Sequence, residues 1–122
     1  MKHNIERIHI EQTILNTFLS QCRSLPLDEM ELRDTNIPFE LFKASRLTKL
    51  TAKAIYNFKQ DNKPIDEELV YCYISKHVDV NSSEWLDISC KLPLSFDSMV
   101  LYLEMLRGID EEESKLKMLE DM

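Results

Sequence analysis

The sequence predicts an all-α fold, a compact single-domain bundle of about six or seven helices ending in a C-terminal helical hairpin. Three observations carry that expectation. Only one glycine and four prolines occur in 122 residues, too few for the closely spaced turns that sheets require. Apolar residues recur at three- and four-residue intervals rather than alternating. Polar capping residues, among them Asp66, Asn81 and Ser95, stand just ahead of the apolar-patterned stretches.

The stretch 37–74 organises the rest. Ile37, Phe39, Leu41 and Phe42 make a short apolar burst with Pro38 at an early helical position. A helix over 45–60 follows, with Leu47, Leu50, Ala54, Ile55 and Phe58 as its inner stripe. Arg46, Lys49, Lys53 and Lys59 make this the most basic part of the chain, a pattern read first as a solvated face. Asp61 to Pro64 has turn chemistry. Asp66 then caps a helix reaching about residue 76, with Glu67 and Glu68 favourably placed near the positive end of its dipole. Ile65 and Val70 can staple that start, and Leu69, Val70, Tyr73 and Ile74 are expected to be buried.

Around this pair the other elements take their places. A first helix is expected over 5–22, with Ile8, Ile14, Leu15, Phe18, Leu19 and Cys22 inward. Glu6, Arg7, Gln12, Asn16 and Gln21 would form its outer face. Pro26 ends it or follows its end closely, and residues 27–36 read as a polar connection. Asn81 to Glu84 forms a capping box with Val80 and Trp85 as staple. The short helix that follows turns Trp85, Leu86, Ile88 and Cys90 inward, and Pro93 closes it.

Ser95 caps a helix over 96–107 that is apolar almost all round, with Met99, Tyr102, Leu103 and Leu106 on one face and Val100, Leu101 and Met105 elsewhere. Such a helix is either central to the core or shared with a partner. Gly108 is suited to end it, and Asp110 to Glu113 would open a last helix bearing Leu116 and Leu119. One domain covers residues 1–122, a globular part over 1–94 and the hairpin over 95–122.

The chemistry that can be excluded is broad. The net charge is −7 at pH 7, which disfavours direct nucleic-acid binding because phosphate contacts need Lys and Arg to release counterions. A single glycine rules out the Gly-rich phosphate loop of nucleotide motors. His3, His9 and His77 are isolated, and His9 beside Glu6 or Glu11 is a weak acid–base pair. Cys22, Cys72 and Cys90 lack a C-x-x-C pair and read as buried free thiols of a reducing, cytoplasmic setting. No catalytic residue, metal site or cofactor is expected, and no run approaches about eighteen apolar residues, so no membrane span.

The order of short motifs adds a resemblance. Glu11-Gln12-x-Ile14-Leu15, then Ile37-Pro38-x-x-Leu41-Phe42, Pro64-Ile65-Asp66, Trp85-Leu86-x-Ile88, Pro93-Leu94 and Tyr102-Leu103 occur in that sequence. Together they resemble the N-terminal domain of DnaB-type replicative DNA helicases, over residues 5–107. The chain departs from the family pattern at Asn16, where the family usually has glycine, and lacks its later glycines. The resemblance implies a non-catalytic collar domain that forms a homo-oligomer, dimer or ring, and recruits a DnaG-type primase or a helicase loader. It assigns Met99, Tyr102, Leu103, Leu106, Leu116 and Leu119 to the oligomer interface, so that a charge at Tyr102 or Leu106 would weaken self-association. Two other readings fit: the helicase-binding C-terminal domain of a primase, and a free-standing phage or plasmid adaptor of the replication machinery.

Overall fold

In the computed structural model, which describes residues 2–20 and 35–121, the chain is all-helical. The order is α1 (Lys2–Leu19), a 3-10 turn (Phe39–Leu41), α2 (Arg46–Gln60), α3 (Glu67–Ser75), α4 (Ser82–Ser89) and α5 (Phe96–Asp121). No strand occurs among the described residues. Helix α1 is described to Leu19, with Ser20 in a turn, and Gln21, Cys22, Pro26 and most of the 27–36 connection lie outside the described residues.

Local chemistry sets the helix starts. The Ser45 hydroxyl accepts from the Thr48 amide, and the Thr48 hydroxyl accepts from the Ser45 amide, closing a reciprocal capping box on α2. Asp66 accepts from the Glu68 amide at 3.0 Å and Asn81 from the Glu84 amide at 3.1 Å. The expected box at Asn81 is only half made, because the Glu84 side chain turns away to accept from the Ser45 hydroxyl. At the far end of α2, Asn62 takes a left-handed φ of 56°, a conformation Asn tolerates better than most residues. Lys63 N–H then reaches Phe58 O at 2.8 Å and Asn62 N–H reaches Lys59 O at 3.2 Å, the pair of bonds that ends a helix cleanly.

Helix α1 is the axis of the bundle. It packs against α2, α4 and α5, and every residue from Ile10 to Leu19 is buried. Ile14, Leu15 and Phe18 meet Phe42, Ile55, Ile88, Met99 and Leu106 in one continuous core. Full burial of each such side chain contributes about 1.5–3 kcal/mol. The all-round covering expected of the fifth helix therefore belongs to the first.

That arrangement corrects the outer face assigned to α1. Arg7, Gln12 and Asn16 are 3%, 5% and 4% exposed. The Asn16 side chain is spent on helix-end backbone that has lost its own partners. Asn16 Nδ2 donates to the Ile88 and Ser89 carbonyls at 3.0 and 3.2 Å, closing the end of α4. The Thr17 hydroxyl accepts from the Leu94 amide at 2.9 Å while donating to Thr13 O. Buried polar groups satisfied in this way cost little and fix the register of the packed elements.

The hairpin is also corrected. Residues 96–121 form one uninterrupted helix, and Gly108 lies within it at ordinary negative φ. Glycine permits a left-handed ending but does not impose one. Ile109, packed against the core, and Asp110 and Glu113, both bound to Arg7, hold the following turn in line. In α3, Leu69 and Tyr73 are 48% and 39% exposed, so only Val70 and Ile74 are inward. In α4, Leu86 and Cys90 point out while Trp85 and Ile88 are buried.

Candidate interaction surface and the charge network behind it

Helix α5 presents two faces of different kind. Met99, Leu103 and Leu106 are in the core at 0%, 9% and 0% exposure, with Tyr102 and Ile109 partly buried beside them. On the other side Leu101, Met105, Leu116 and Leu119 are each more than half exposed. At about 100° per residue, these four fall with Gly108 and Glu112 within an arc of about 80°. The result is an apolar ridge interrupted at its centre by a glycine and a carboxylate. From Ser114 to Glu120 every side chain is exposed, so the last two turns project beyond the body.

The six residues assigned to an interface therefore divide, with Tyr102 partly buried against the core. Leu116 and Leu119 lie on the open ridge. Met99, Leu103 and Leu106 hold α5 to its own chain, and a charge at Leu106 would damage the fold before it reached a partner. Leu101 and Met105 complete the ridge. Their sequence signal was the second apolar face of this helix, which its heptad-like spacing defines.

What aims the projecting end is a buried cation. Arg7 leaves α1 and places its guanidinium between three elements. Nε donates to Glu11 Oε2 at 2.9 Å, and Nη2 to Asp110 Oδ1 and to the Leu41 carbonyl, each at 2.8 Å. Nη1 donates to Glu113. Glu11, fully buried, also accepts from the Lys43 and Ala44 amides at 3.1–3.2 Å. Lys43 Nζ adds a bond to Asp110 at 3.1 Å. The planar fork of arginine suits this four-way role, which a lysine cannot reproduce.

Electrostatics follow from those contacts. Burial by itself would lower the pKa of Arg7, but the bonds to Asp110 and Glu11 and the charge of Glu113 outweigh it and hold the guanidinium above its usual value. Burial would likewise raise Asp110, yet bonds and charges from Arg7 and Lys43 hold its carboxyl below the ordinary aspartate value. Asp110 and Glu113, expected to open a last helix, instead anchor the middle of α5. A cleft of about 410 Å³ runs beside this network, lined by Arg7, Lys43, Asp110, Glu113 and Lys117.

The remaining chemistry-bearing residues are dispersed. Glu11 engages Arg7 rather than His9, and His9 Nδ1 lies 3.0 Å from Lys91 Nζ. His77 stacks edge-on against Tyr73, centroids 5.1 Å apart. Cys72 and Cys90 are free and exposed, not buried as expected. On α2, Lys53 sits 4.0 Å above the Phe39 ring, occupied with an aromatic rather than presented to solvent alone. Among the described residues no group of His, Cys, Asp and Glu is arranged to hold a metal, and no helix is long and apolar enough to cross a membrane.

Compared with models of known families, with curated proteins and with solved structures, the chain matches none.

Proposed function

We propose that this chain is a non-catalytic protein–protein interaction domain that self-associates through the outer ridge of α5. One observation carries the reading: a 26-residue helix whose inner face is core also exposes Leu101, Met105, Leu116 and Leu119 on a single outer stripe. Scattered exposed leucines need no explanation, but an ordered stripe rimmed by charges marks a contact surface. The projecting turns strengthen the case, since a short helical end with few tertiary contacts is marginal in water alone.

Charge indicates the geometry of pairing. In a parallel pair Glu112 would meet Glu112 of the second copy, a repulsive contact. An antiparallel pair with its two-fold near residue 110 sets Leu101 against Leu119, Met105 near Leu116, Glu112 against Gly108 and Glu104 near Lys115. Such an isologous contact is self-complementary and closes at two copies. Gly108 then provides room for the helices to approach where Glu112 would otherwise be crowded.

The biological setting we propose is the N-terminal collar of a DnaB-type replicative DNA helicase, with recruitment of primase or a helicase loader as its second task. The motif order from Glu11-Gln12 to Tyr102-Leu103 supports it. The single α5 departs from the paired helices of that family, so pairing here would use one helix from each copy. Sedimentation of the wild type across a concentration series tests the self-association. Pull-down with the cognate primase tests the replication setting, and failure to bind would favour a free-standing adaptor.

A further inference from the structure

A second surface lies on α3 and α4, away from the residues of the α5 ridge. A cavity of about 530 Å³ opens between them, within the range of sites that take one or two large side chains. Tyr71 and Trp85 line it, rings tilted at 59° with centroids 5.2 Å apart. Leu86, 57% exposed, lies at its edge. Glu67 and Glu68 line the same cavity, and among the described residues no lysine, arginine or histidine does. Glu67 is fixed there by accepting from the Ser89 hydroxyl of α4, while Glu68 is exposed.

Aromatic faces beside carboxylates attract cations twice over, through the ring quadrupole and through direct charge. The apolar edge adds a place for a methylene or leucine side chain. An acidic segment would meet repulsion here, and a purely apolar one would leave the two carboxylates facing a dry surface. The acidic rim selects a segment of opposite charge.

We infer that the α3–α4 groove is a docking site for a basic peptide segment of a partner protein, one that seats a Lys or Arg against the exposed ring of Tyr71 and the Glu68 carboxylate and a leucine-like side chain against Leu86, with Trp85, 8% exposed, as the floor beneath them. The inference is independent of pairing through α5, because none of the ridge residues lines the groove. It gives the domain a second surface, free to act whether the chain is paired or single.

Trp85 is the only tryptophan in the chain, so its fluorescence reports on the groove directly. The probe is a short capped amphipathic peptide of Leu and Lys. Its controls are the same peptide with Glu for each Lys, and one with Ser for each Leu. A second readout is the alkylation rate of Cys72, which also lines the groove, in a Cys22→Ser/Cys90→Ser background. The Leu–Lys peptide should shift Trp85 emission saturably and protect Cys72, with both controls weaker. Glu68→Lys, a change at an exposed position, should weaken binding about fivefold while the circular dichroism spectrum stays unchanged. Equal binding of the Lys and Glu peptides would overturn the inference. So would unchanged affinity in Glu68→Lys, or binding without protection of Cys72. Sedimentation of the same samples shows whether pairing has changed, so a failure here is distinct from a failure of self-association.

Discussion

Replacing Arg7 by Met is the sharpest single test of how α5 is held. The methionine keeps an unbranched apolar stem but removes every donor from a site that is 3% exposed. Glu11 would keep its bonds to the Lys43 and Ala44 amides, yet lose its charge partner in a fully buried position. Asp110 would retain Lys43, and the Leu41 carbonyl would lose its guanidinium donor. Breaking a buried ion pair from one side costs about 3–5 kcal/mol, because a charge is left uncompensated. That is a large share of the roughly 5–15 kcal/mol by which ordinary domains are stable. Urea denaturation followed by circular dichroism measures it. A double replacement, Arg7→Met with Glu11→Gln, should recover part of the loss, since the stranded charge is gone. A cost below about 1 kcal/mol for Arg7→Met would show that the guanidinium is solvated rather than buried, and would refute the network as the anchor of α5.

Further outcomes follow from the same contacts. At concentrations where the chain is single, Gly108→Ala should stabilise it by about 1 kcal/mol, since an added methyl group meets nothing within 4 Å of its own chain and glycine is a poor helix former; a loss of stability in urea under those conditions would place Gly108 at a helix ending, whereas in the proposed pair the methyl group would crowd Glu112 of the second copy. Asp110→Asn should cost about 1–2 kcal/mol near neutral pH. Because the folded carboxyl titrates below its unfolded value, its contribution is present above about pH 4 and disappears as pH falls through the folded pKa. The gap between wild type and Asp110→Asn should therefore close as the pH falls below the ordinary aspartate range, and a gap that widened in acid would contradict the assignment. Asn16→Leu should destabilise by about 1–3 kcal/mol, because two carbonyls at the end of α4 lose their donor; thermal melts showing no change would mean that water replaces it.

The parts of the fold that were legible in the sequence are those fixed by local chemistry. Asp66, Asn81 and Ser95 cap helices where they stand because a side-chain oxygen two or three residues from a free amide needs no tertiary context. The inner stripe of α2 was readable for the same reason, with Leu47, Ala54, Ile55 and Phe58 all buried. What periodicity misassigned were residues whose environment comes from distant chain. Arg7 and Asn16 look like surface residues until Glu113 and Ile88, far along the sequence, close over them. Leu69, Tyr73 and Leu86 look inward on any apolar count, yet a small core filled by α1 leaves no room for them. Glycine by type suggests a stop at Gly108, while the packing of Ile109 and the bonds of Asp110 and Glu113 to Arg7 of α1 carry the helix past it. Of the six residues expected at an interface, Leu116 and Leu119 are exposed on α5, Tyr102 is partly buried, and Met99, Leu103 and Leu106 are in the core.

The central claim is self-association through the outer face of α5, and sedimentation equilibrium of the wild type beside Leu101→Glu/Leu116→Glu measures it directly. Both positions are more than half exposed, so the variant should keep its circular dichroism spectrum and its melting behaviour apart from the contribution of pairing itself. The wild type should form a concentration-dependent dimer or larger assembly, and the variant should stay monomeric over the same range. A wild type that is monomeric at every concentration, or a variant that assembles as well as the wild type, would contradict that claim.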